Sequence, residues 1–168
     1  MSSARPSGYS ALQISLHWAV VLLVIFQFLA SDGMEAVWRA MRRGTEITSA
    51  DTLFANLHAA AGILILLLAF WRIFLRFTRG APAAPAGEAP ILKLVAAATH
   101  WALYFLLIVT PVSGAVGYFG GVAQAVEAHQ VFKTLILVVV TLHVVGALAQ
   151  QFVFHTGVLR RMMVPQKS

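Results

Sequence analysis

The hydrophobic residues of this chain are grouped into four long apolar stretches, which short polar segments separate. The stretches cover roughly 14–30, 53–71, 94–119 and 131–154. Each has the length of about 17–25 residues with which a helix crosses the hydrocarbon core of a bilayer. Only helices and closed barrels satisfy their backbone hydrogen bonds there, so the pattern predicts four membrane-spanning helices.

The expected architecture is an all-α, four-helix transmembrane bundle that forms a single domain over residues 1–168. Its helices are predicted at about 12–30, 53–77, 92–119 and 123–154. We interpret the first as a retained helix and not as a cleaved signal peptide. No small-residue cleavage site follows it, and a histidine and a glutamine interrupt its apolar run.

The connection between the first two spans predicts a short amphipathic helix at about 33–43. Its apolar residues share one face, and Gly44 follows two arginines as a stop signal. The pattern is typical of a helix that lies on the outer membrane surface through Met34, Val37, Trp38 and Met41. The other connections, a Pro/Ala/Gly linker at 80–90 and a loop at Gly120-Gly121, leave no room for an extramembrane domain.

Composition and charge support a membrane protein and indicate its orientation. Hydrophobic residues make up 60% of the chain and charged residues 11%, with a mean hydropathy of +0.82. The net charge of +6 does not indicate nucleic-acid binding, because no soluble basic domain presents it. Instead, most of the basic residues lie on the side of the two termini, which predicts cytoplasmic termini. The inner set is Arg5, Arg72, Arg76, Arg79, Lys93, Arg160, Arg161 and Lys167, and the outer set is Arg39, Arg42, Arg43 and Lys133.

Four histidines in the apolar stretches fall at two depths. His17 lies near the inner end of the first helix, His58 near the outer end of the second, and His129 at the outer start of the fourth. His143 follows His129 by 14 residues, which is about 21 Å along the axis and within roughly 40° of the same face. His58 therefore pairs in depth with His129, and His17 with His143.

Two imidazoles at each depth match the number of protein ligands that haem requires. Zinc takes three or four protein ligands, and the apolar spans contain no carboxylate. Haem iron needs only two axial ligands, and the absence of cysteine excludes covalent attachment and thiolate ligation. The sequence thus predicts two haem b groups, with Gly62 and Gly146 leaving space for a flat macrocycle.

His100 lies at about the same inner depth as His17. Its spacing leaves three roles open: partner of His143 in place of His17, donor to a haem propionate, or donor to a quinone carbonyl. Gln13 and Trp101 are further candidates for a quinone pocket. His155, near Arg160, is interpreted as a solvated or headgroup-level residue.

Basic residues near the two depths are candidates for binding haem propionates, which cannot remain unpaired in hydrocarbon. Arg72 and Arg76 lie one turn apart at the inner end of the second span, although ordinary snorkelling anchors would have the same pattern. On the outer side, Lys133 follows His129 by four residues on one helical face. Arg39, Arg42 and Arg43 either join Lys133 or hold the surface helix to lipid headgroups.

Several segments together resemble the bacterial di-haem cytochrome b561 family, and the likeness covers nearly the whole chain. They are YSALQISLHW at 9–18, residues 56–76 with His58 and the paired arginines, the third helix with His100 and TPVSG at 110–114, the His129/His143 spacing, and LRRMM before Pro165. The resemblance implies that His17 and His143 hold a cytoplasmic-side haem. It also implies that His58 and His129 hold a periplasmic-side haem, in the bacterial inner membrane.

The function implied by this resemblance is transfer of electrons from superoxide to ubiquinone. A bis-histidine haem has no free coordination position, which suits electron transfer. Lys133, with the three arginines of the surface helix, would attract the superoxide anion. Two alternatives stay open: an electron-transfer subunit for a dehydrogenase, hydrogenase or periplasmic partner, and a haem-free proton or ion transporter built on histidines. The short loops favour a protein that needs no protein partner.

Overall fold

The computed structural model describes residues 6–85 and 87–166, and within them the chain folds into six helices and no strand. They are α1 (Ala11–Leu29), α2 (Ser31–Arg43), α3 (Ser49–Thr78), α4 (Pro90–Gly120), α5 (Ala123–Phe152) and the short α6 (Val158–Arg161). Helices α1, α3, α4 and α5 are long and apolar enough to span a membrane. The prediction of an all-α protein with four membrane-spanning helices is confirmed. Arg5 and Lys167, assigned to the inner side by the sequence, lie outside the described residues.

Local sequence explains where the helices begin. Ser10 and Gln13 form a reciprocal capping box at the start of α1. The Thr48 side chain accepts a hydrogen bond from the Asp51 backbone N–H, so α3 begins at Ser49 and extends one turn further than the apolar pattern indicates. Gly44 ends α2 in the left-handed conformation, with φ of 65°, as the sequence predicts.

The four spans are neighbours in the order α1, α3, α4 and α5, and successive spans run in opposite directions. The chain termini and the α3–α4 linker therefore meet at one end of the bundle, here called the terminal end. Helix α2 and the α4–α5 turn lie at the other, the loop end. A small core of Val20, Ile65, Ala69 and Leu107 joins α1, α3 and α4.

Helix α5 stands apart from the N-terminal half of the bundle. Among the described residues, no Cα atom of α5 comes within 8 Å of a Cα atom of α1 or α3. Among its described residues, Ile136 alone is buried. Its contacts with the other spans are made through α4, which leaves a gap on the side that faces α1 and α3.

Helix α2 lies against α3 and not with its whole apolar face on lipid. Gly33, Val37 and Ala40 are buried. The sequence predicts a lipid-facing surface that also includes Met34, Trp38 and Met41, but of these only Met41 is exposed. Met34 and Trp38 instead line a cavity between the helices. The reason is the small Gly33, which lets α2 pack closely on α3 at Phe54.

Hydrogen bonds between distant segments close the terminal end. The Gln166 side chain accepts from the Gly8 N–H, at 2.9 Å, and Trp18 donates to the Met162 carbonyl, also at 2.9 Å. Gln13 donates to the Gly80 carbonyl at the start of the linker. The Gln13 side chain is thus part of the helix cap and of the linker contact, and the sequence-based suggestion that it lines a quinone pocket gains no support from this arrangement.

We expect Gly33→Ala to loosen α2, because the added Cβ would lie 2.5 Å from the Phe54 Cβ and 3.2 Å from the Asp51 carbonyl oxygen. Overpacking of this kind costs about 1–3 kcal/mol. Trypsin should then cleave the detergent-solubilised variant faster after Arg42 or Arg43. Gly120→Ala is the matched control, since its added Cβ has its nearest neighbour at 3.7 Å. Equal cleavage rates in all three proteins would contradict the prediction.

Candidate functional site

The histidines of the spans gather at the two ends of the bundle. At the loop end, the ring centroids of His58 on α3 and His129 on α5 lie 6.2 Å apart. At the terminal end, those of His17 on α1 and His143 on α5 lie 6.3 Å apart. We call these pairs the loop-end site and the terminal-end site. Each bridges the gap between α5 and the N-terminal half of the chain.

Both separations suit a metal atom between two imidazoles. Two metal–nitrogen bonds of about 2 Å, with roughly 1 Å from each nitrogen to its ring centre, give about 6 Å between the centroids. Within residues 6–85 and 87–166, no group of three or more His, Cys, Asp or Glu side chains is arranged to hold an ion. The donor sets are pairs of imidazoles, which fits a metal whose remaining ligands come from a cofactor.

The loop-end site opens into a cavity of about 520 Å³. This volume lies within the range of roughly 300–1,000 Å³ that small-molecule and cofactor sites occupy. Small side chains on two helices widen it beside the histidines, namely Ala59 and Gly62 on α3 and Gly114 and Ala115 on α4. Helix α2 forms its cover through Met34 and Trp38.

His129 is held in one orientation by α4. Its Nδ1 lies 2.9 Å from the Thr110 carbonyl oxygen. Because a carbonyl only accepts, Nδ1 carries the hydrogen and the Nε2 lone pair is free to bind a metal. Pro111 has no N–H to donate to the Leu107 carbonyl four residues earlier, and Ser113 Oγ also donates to the Thr110 carbonyl. At Gly114 an added Cβ would lie 2.9 Å from the His129 Nδ1. The segment TPVSG therefore forms the cradle of this imidazole.

Three polar atoms around the loop-end cavity are buried without a hydrogen-bond partner among the described residues. They are Gln27 Oε1, His58 Nδ1 and Thr110 Oγ1. A buried polar group left unpaired costs about 1–3 kcal/mol. Such a cluster is typical of a site that holds a further group.

Two arginines dominate the terminal-end site. Arg72 Nη2 lies 3.1 Å from the His17 Nδ1. Since a guanidinium only donates, this contact makes Nδ1 the acceptor and leaves the hydrogen on Nε2. Metal binding through Nε2 requires the reverse, so Arg72 has to leave His17 when that nitrogen binds a metal. Arg76 lies over Trp101, with 5.4 Å from Cζ to the ring centroid, and also over Tyr104.

Tyr9 borders this arginine pair just before α1. Burial raises the pKa of its hydroxyl, and the neighbouring charge of Arg76 opposes the shift. The phenol thus stays protonated at neutral pH and can donate a hydrogen bond.

The structure brings His100 as well as His17 next to His143. The His100 and His143 ring centroids are 5.2 Å apart, which is shorter than the roughly 6 Å that opposite ligands of one metal need. His100 Nδ1 faces the Ala96 carbonyl oxygen of its own helix at 2.6 Å. The spacing therefore favours His17 as the partner of His143 across a metal.

Charged residues surround the mouth of the loop-end cavity. Lys133 lines it and forms an ion pair with Glu35 of α2 at 3.2 Å. Arg39 and Arg42 also line the cavity, whereas Arg43 is not among its lining residues.

His155, which follows α5, is exposed with a left-handed φ of 52°.

Sequence reasoning missed three residues of the loop-end site, namely Gln27, Thr110 and Gly114. Thr110 acts through its backbone carbonyl, which carries no residue-specific signal. The Gly-containing TPVSG segment and a glutamine inside an apolar span are visible in the sequence, and the second is a signal of interhelical hydrogen bonding.

Comparison with known proteins identifies the family. The profile described as prokaryotic cytochrome b561 matches residues 8–164. A cytochrome b562 of Cereibacter sphaeroides is 35% identical over 159 residues, covering 95% of this chain and 97% of that protein. A probable superoxide oxidase, CybB, of Yersinia pestis is 29% identical over 181 residues, with the same coverage of both chains.

The chain belongs to the prokaryotic cytochrome b561 family. It is a multipass membrane haem protein of the b type, with a role in oxidoreduction or electron transfer. The residues present fit that cofactor: paired imidazoles at the spacing of opposite axial ligands, a free Nε2 on His129, and unpartnered polar atoms around a cavity. The haem-free transporter that the sequence left open is set aside.

We expect Gly114→Ala to weaken haem binding, because its Cβ would force the His129 ring away from the Thr110 carbonyl. An overpacking cost of about 1–3 kcal/mol corresponds to roughly a 5- to 150-fold loss of affinity. The haem-to-protein ratio of purified protein measures the effect. Gly120→Ala, on the same helix, should keep the ratio of the parent protein, and a normal ratio in Gly114→Ala would show that the cradle is not needed.

Proposed function

We propose that this chain is a di-haem cytochrome b of the bacterial inner membrane with both termini in the cytoplasm. His58 and His129 hold a haem on the periplasmic side, and His17 and His143 hold a second haem on the cytoplasmic side. The observation that carries the proposal is the presence of two histidine pairs, at opposite ends of the bundle, with ring separations of 6.2 and 6.3 Å. The excess of basic residues at the terminal end supports the orientation.

The chain is proposed to transfer electrons from superoxide in the periplasm to ubiquinone in the membrane. Two superoxide anions each give up one electron and leave as dioxygen. Ubiquinone takes up the two electrons and two protons and becomes ubiquinol. When bound, haem supplies reversible one-electron chemistry without an open coordination position. The probable superoxide oxidase among the relatives supports this choice of donor.

The basic residues of the chain have two proposed tasks. Lys133, Arg39 and Arg42 at the loop-end cavity attract the anionic donor and bind the propionates of the periplasmic-side haem. At the terminal end, Arg72 and Arg76 bind the propionates of the cytoplasmic-side haem. The Arg72 contact with His17 Nδ1 supports this, since the guanidinium already lies in the site and needs an anionic partner once His17 binds iron.

His100 is proposed to serve the terminal-end site without binding iron. It lies beside the site, 5.2 Å from His143 between ring centroids, with Nδ1–H on the Ala96 carbonyl. Nε2 of the neutral ring is then an acceptor, so the proposed hydrogen bond to a propionate or quinone carbonyl is made by the protonated imidazole. Trp101, the next residue along α4, is exposed.

A second function, electron carrier for a dehydrogenase, hydrogenase or periplasmic partner, is supported by the relative named cytochrome b562, which is the more similar of the two. The two functions differ in what the purified chain does alone. Rapid oxidation of superoxide with quinone reduction by the isolated protein favours the first, and a reduced-minus-oxidised haem b spectrum without that activity favours the second.

Replacing His143 with alanine should lower the haem content from two per chain to one, because the variant keeps both loop-end ligands. Haem and protein are quantified on the same purified sample. His100→Ala is the matched control and should keep both haems. Retention of two haems in His143→Ala would refute the ligand assignment. It would also be refuted if His100→Ala lost one haem while His17→Ala kept two.

Charge changes at the cavity mouth should alter the superoxide rate in opposite directions. Lys133→Gln removes an attractive charge and should slow the reaction a few-fold and weaken its dependence on ionic strength. Glu35→Gln frees Lys133 from its ion pair and should accelerate the reaction. Stopped-flow kinetics at several salt concentrations measure both. Identical kinetics in the two variants would argue against electrostatic steering.

A further inference from the structure

Gln27 reaches the loop-end site from α1, a span that contributes no histidine to it. Its side chain lines the cavity, and Nε2 donates a hydrogen bond of 3.0 Å to the backbone carbonyl of His58. The other end of the carboxamide, Oε1, is buried without a partner among the described residues. The donor half of this side chain is thus occupied and the acceptor half is free.

The packing of α1 on α3 keeps the carboxamide beside His58. Gly62, one turn after His58, is buried, and a Cβ added there would lie 3.1 Å from the Gln27 Nε2. The absence of a side chain at Gly62 therefore provides the space that Gln27 occupies. We expect a glutamine at this position within a membrane to form hydrogen bonds at both ends of its carboxamide. A polar side chain left unpaired in apolar surroundings costs free energy.

His58 lacks the support that His129 receives. The His129 Nδ1 donates to the Thr110 carbonyl, whereas the His58 Nδ1 is buried without a hydrogen bond among the residues that the structure describes. The backbone carbonyl of Gln27 also lies close to the His58 ring. A metal-binding histidine nearly always donates its second ring N–H to a carboxylate, carbonyl or water. His58 and Gln27 thus present a free donor and a free acceptor at the same cavity.

We propose that Gln27 is the positioning residue of His58. Its Nε2 stays on the His58 carbonyl, and its Oε1 accepts the Nδ1 hydrogen of the same residue when the imidazole binds iron through Nε2. This inference rests on the proposed periplasmic-side haem. One side chain of α1 then fixes both the backbone and the ring of a ligand carried by α3.

The bond has a consequence for the redox equilibrium. A hydrogen bond from Nδ1 makes an imidazole a stronger electron donor and stabilises the oxidised iron. Its loss in Gln27→Met should shift the midpoint potential of one haem to a more positive value and leave the other unchanged. A change of up to tenfold in the reduction equilibrium corresponds to about 59 mV for one electron.

The test uses redox titration of full-length protein in detergent, followed by haem absorbance, with the low-spin ferric EPR signal as a second readout of ligand geometry. His58→Ala, which should lack the loop-end haem, identifies which potential belongs to it. Gln124→Met is the matched control, because Gln124 is exposed in the first turn of α5 and does not line the cavity. It should leave both potentials at the parent values.

Gln27→Glu keeps an acceptor oxygen at the same position and should give a loop-end potential at or below that of the parent. If Gln27→Met fails to retain the loop-end haem, Gln27→Glu decides the question. Two haems in Gln27→Glu, with a loop-end potential at or below that of the parent, support the proposal. Loss of the loop-end haem in Gln27→Glu refutes it. Unchanged potentials and EPR signals in Gln27→Met also refute it, and would indicate that His58 donates to the backbone carbonyl of residue 27, which the substitution keeps. Fewer than two haems in the parent protein would instead refute the proposed function.

Discussion

The separation of α5 from α1 and α3 is the constraint on which the rest of the structure depends. In lipid, helices gain nothing from burying apolar side chains against one another, so close packing and interhelical hydrogen bonds must hold a bundle together. Among the spans, helix α5 packs closely only with α4, and Ile136 is its one buried residue in the described part of the chain. Across the gap, α5 places His129 and His143 opposite His58 and His17, and Lys133 in an ion pair with Glu35 of α2. A group bound between the imidazoles of each pair would therefore join α5 to the other half of the bundle.

The two ends of this gap are prepared to different degrees. At the loop end, His129 already has its hydrogen on Nδ1 and its Nε2 free, because the Thr110 carbonyl fixes it. At the terminal end, Arg72 holds His17 in the opposite arrangement, and a cation has to move before Nε2 is free. The loop-end site is thus the more preorganised of the two.

Much of the fold could be predicted from the sequence, since lipid imposes length and polarity on each span. The depth pairing of His58 with His129 and His17 with His143 follows from helix rise alone, and the structure places these rings together. The choice between His17 and His100 did not follow, because both occupy one depth and only their lateral positions differ. Thr110 was missed because its backbone carbonyl is the functional group. The prediction of a lipid-facing surface on α2 was wrong. Gly33 allows α2 to pack on α3, and a glycine does not show in a pattern of hydrophobic residues.

Each of the two histidine pairs contains one residue from the segment before the 80–90 linker and one from the segment after it. Helices α4 and α5 are joined by only Gly121 and Val122, so His129 and its Thr110 acceptor belong to a single helical hairpin that can insert into a bilayer as one unit. During synthesis, α1 to α3 therefore leave the ribosome first and carry His17 and His58. The hairpin follows and carries their partners, His143 and His129. Neither half of the polypeptide therefore contains a complete His58–His129 or His17–His143 pair, and each pair forms only when the hairpin docks on the helices made before it.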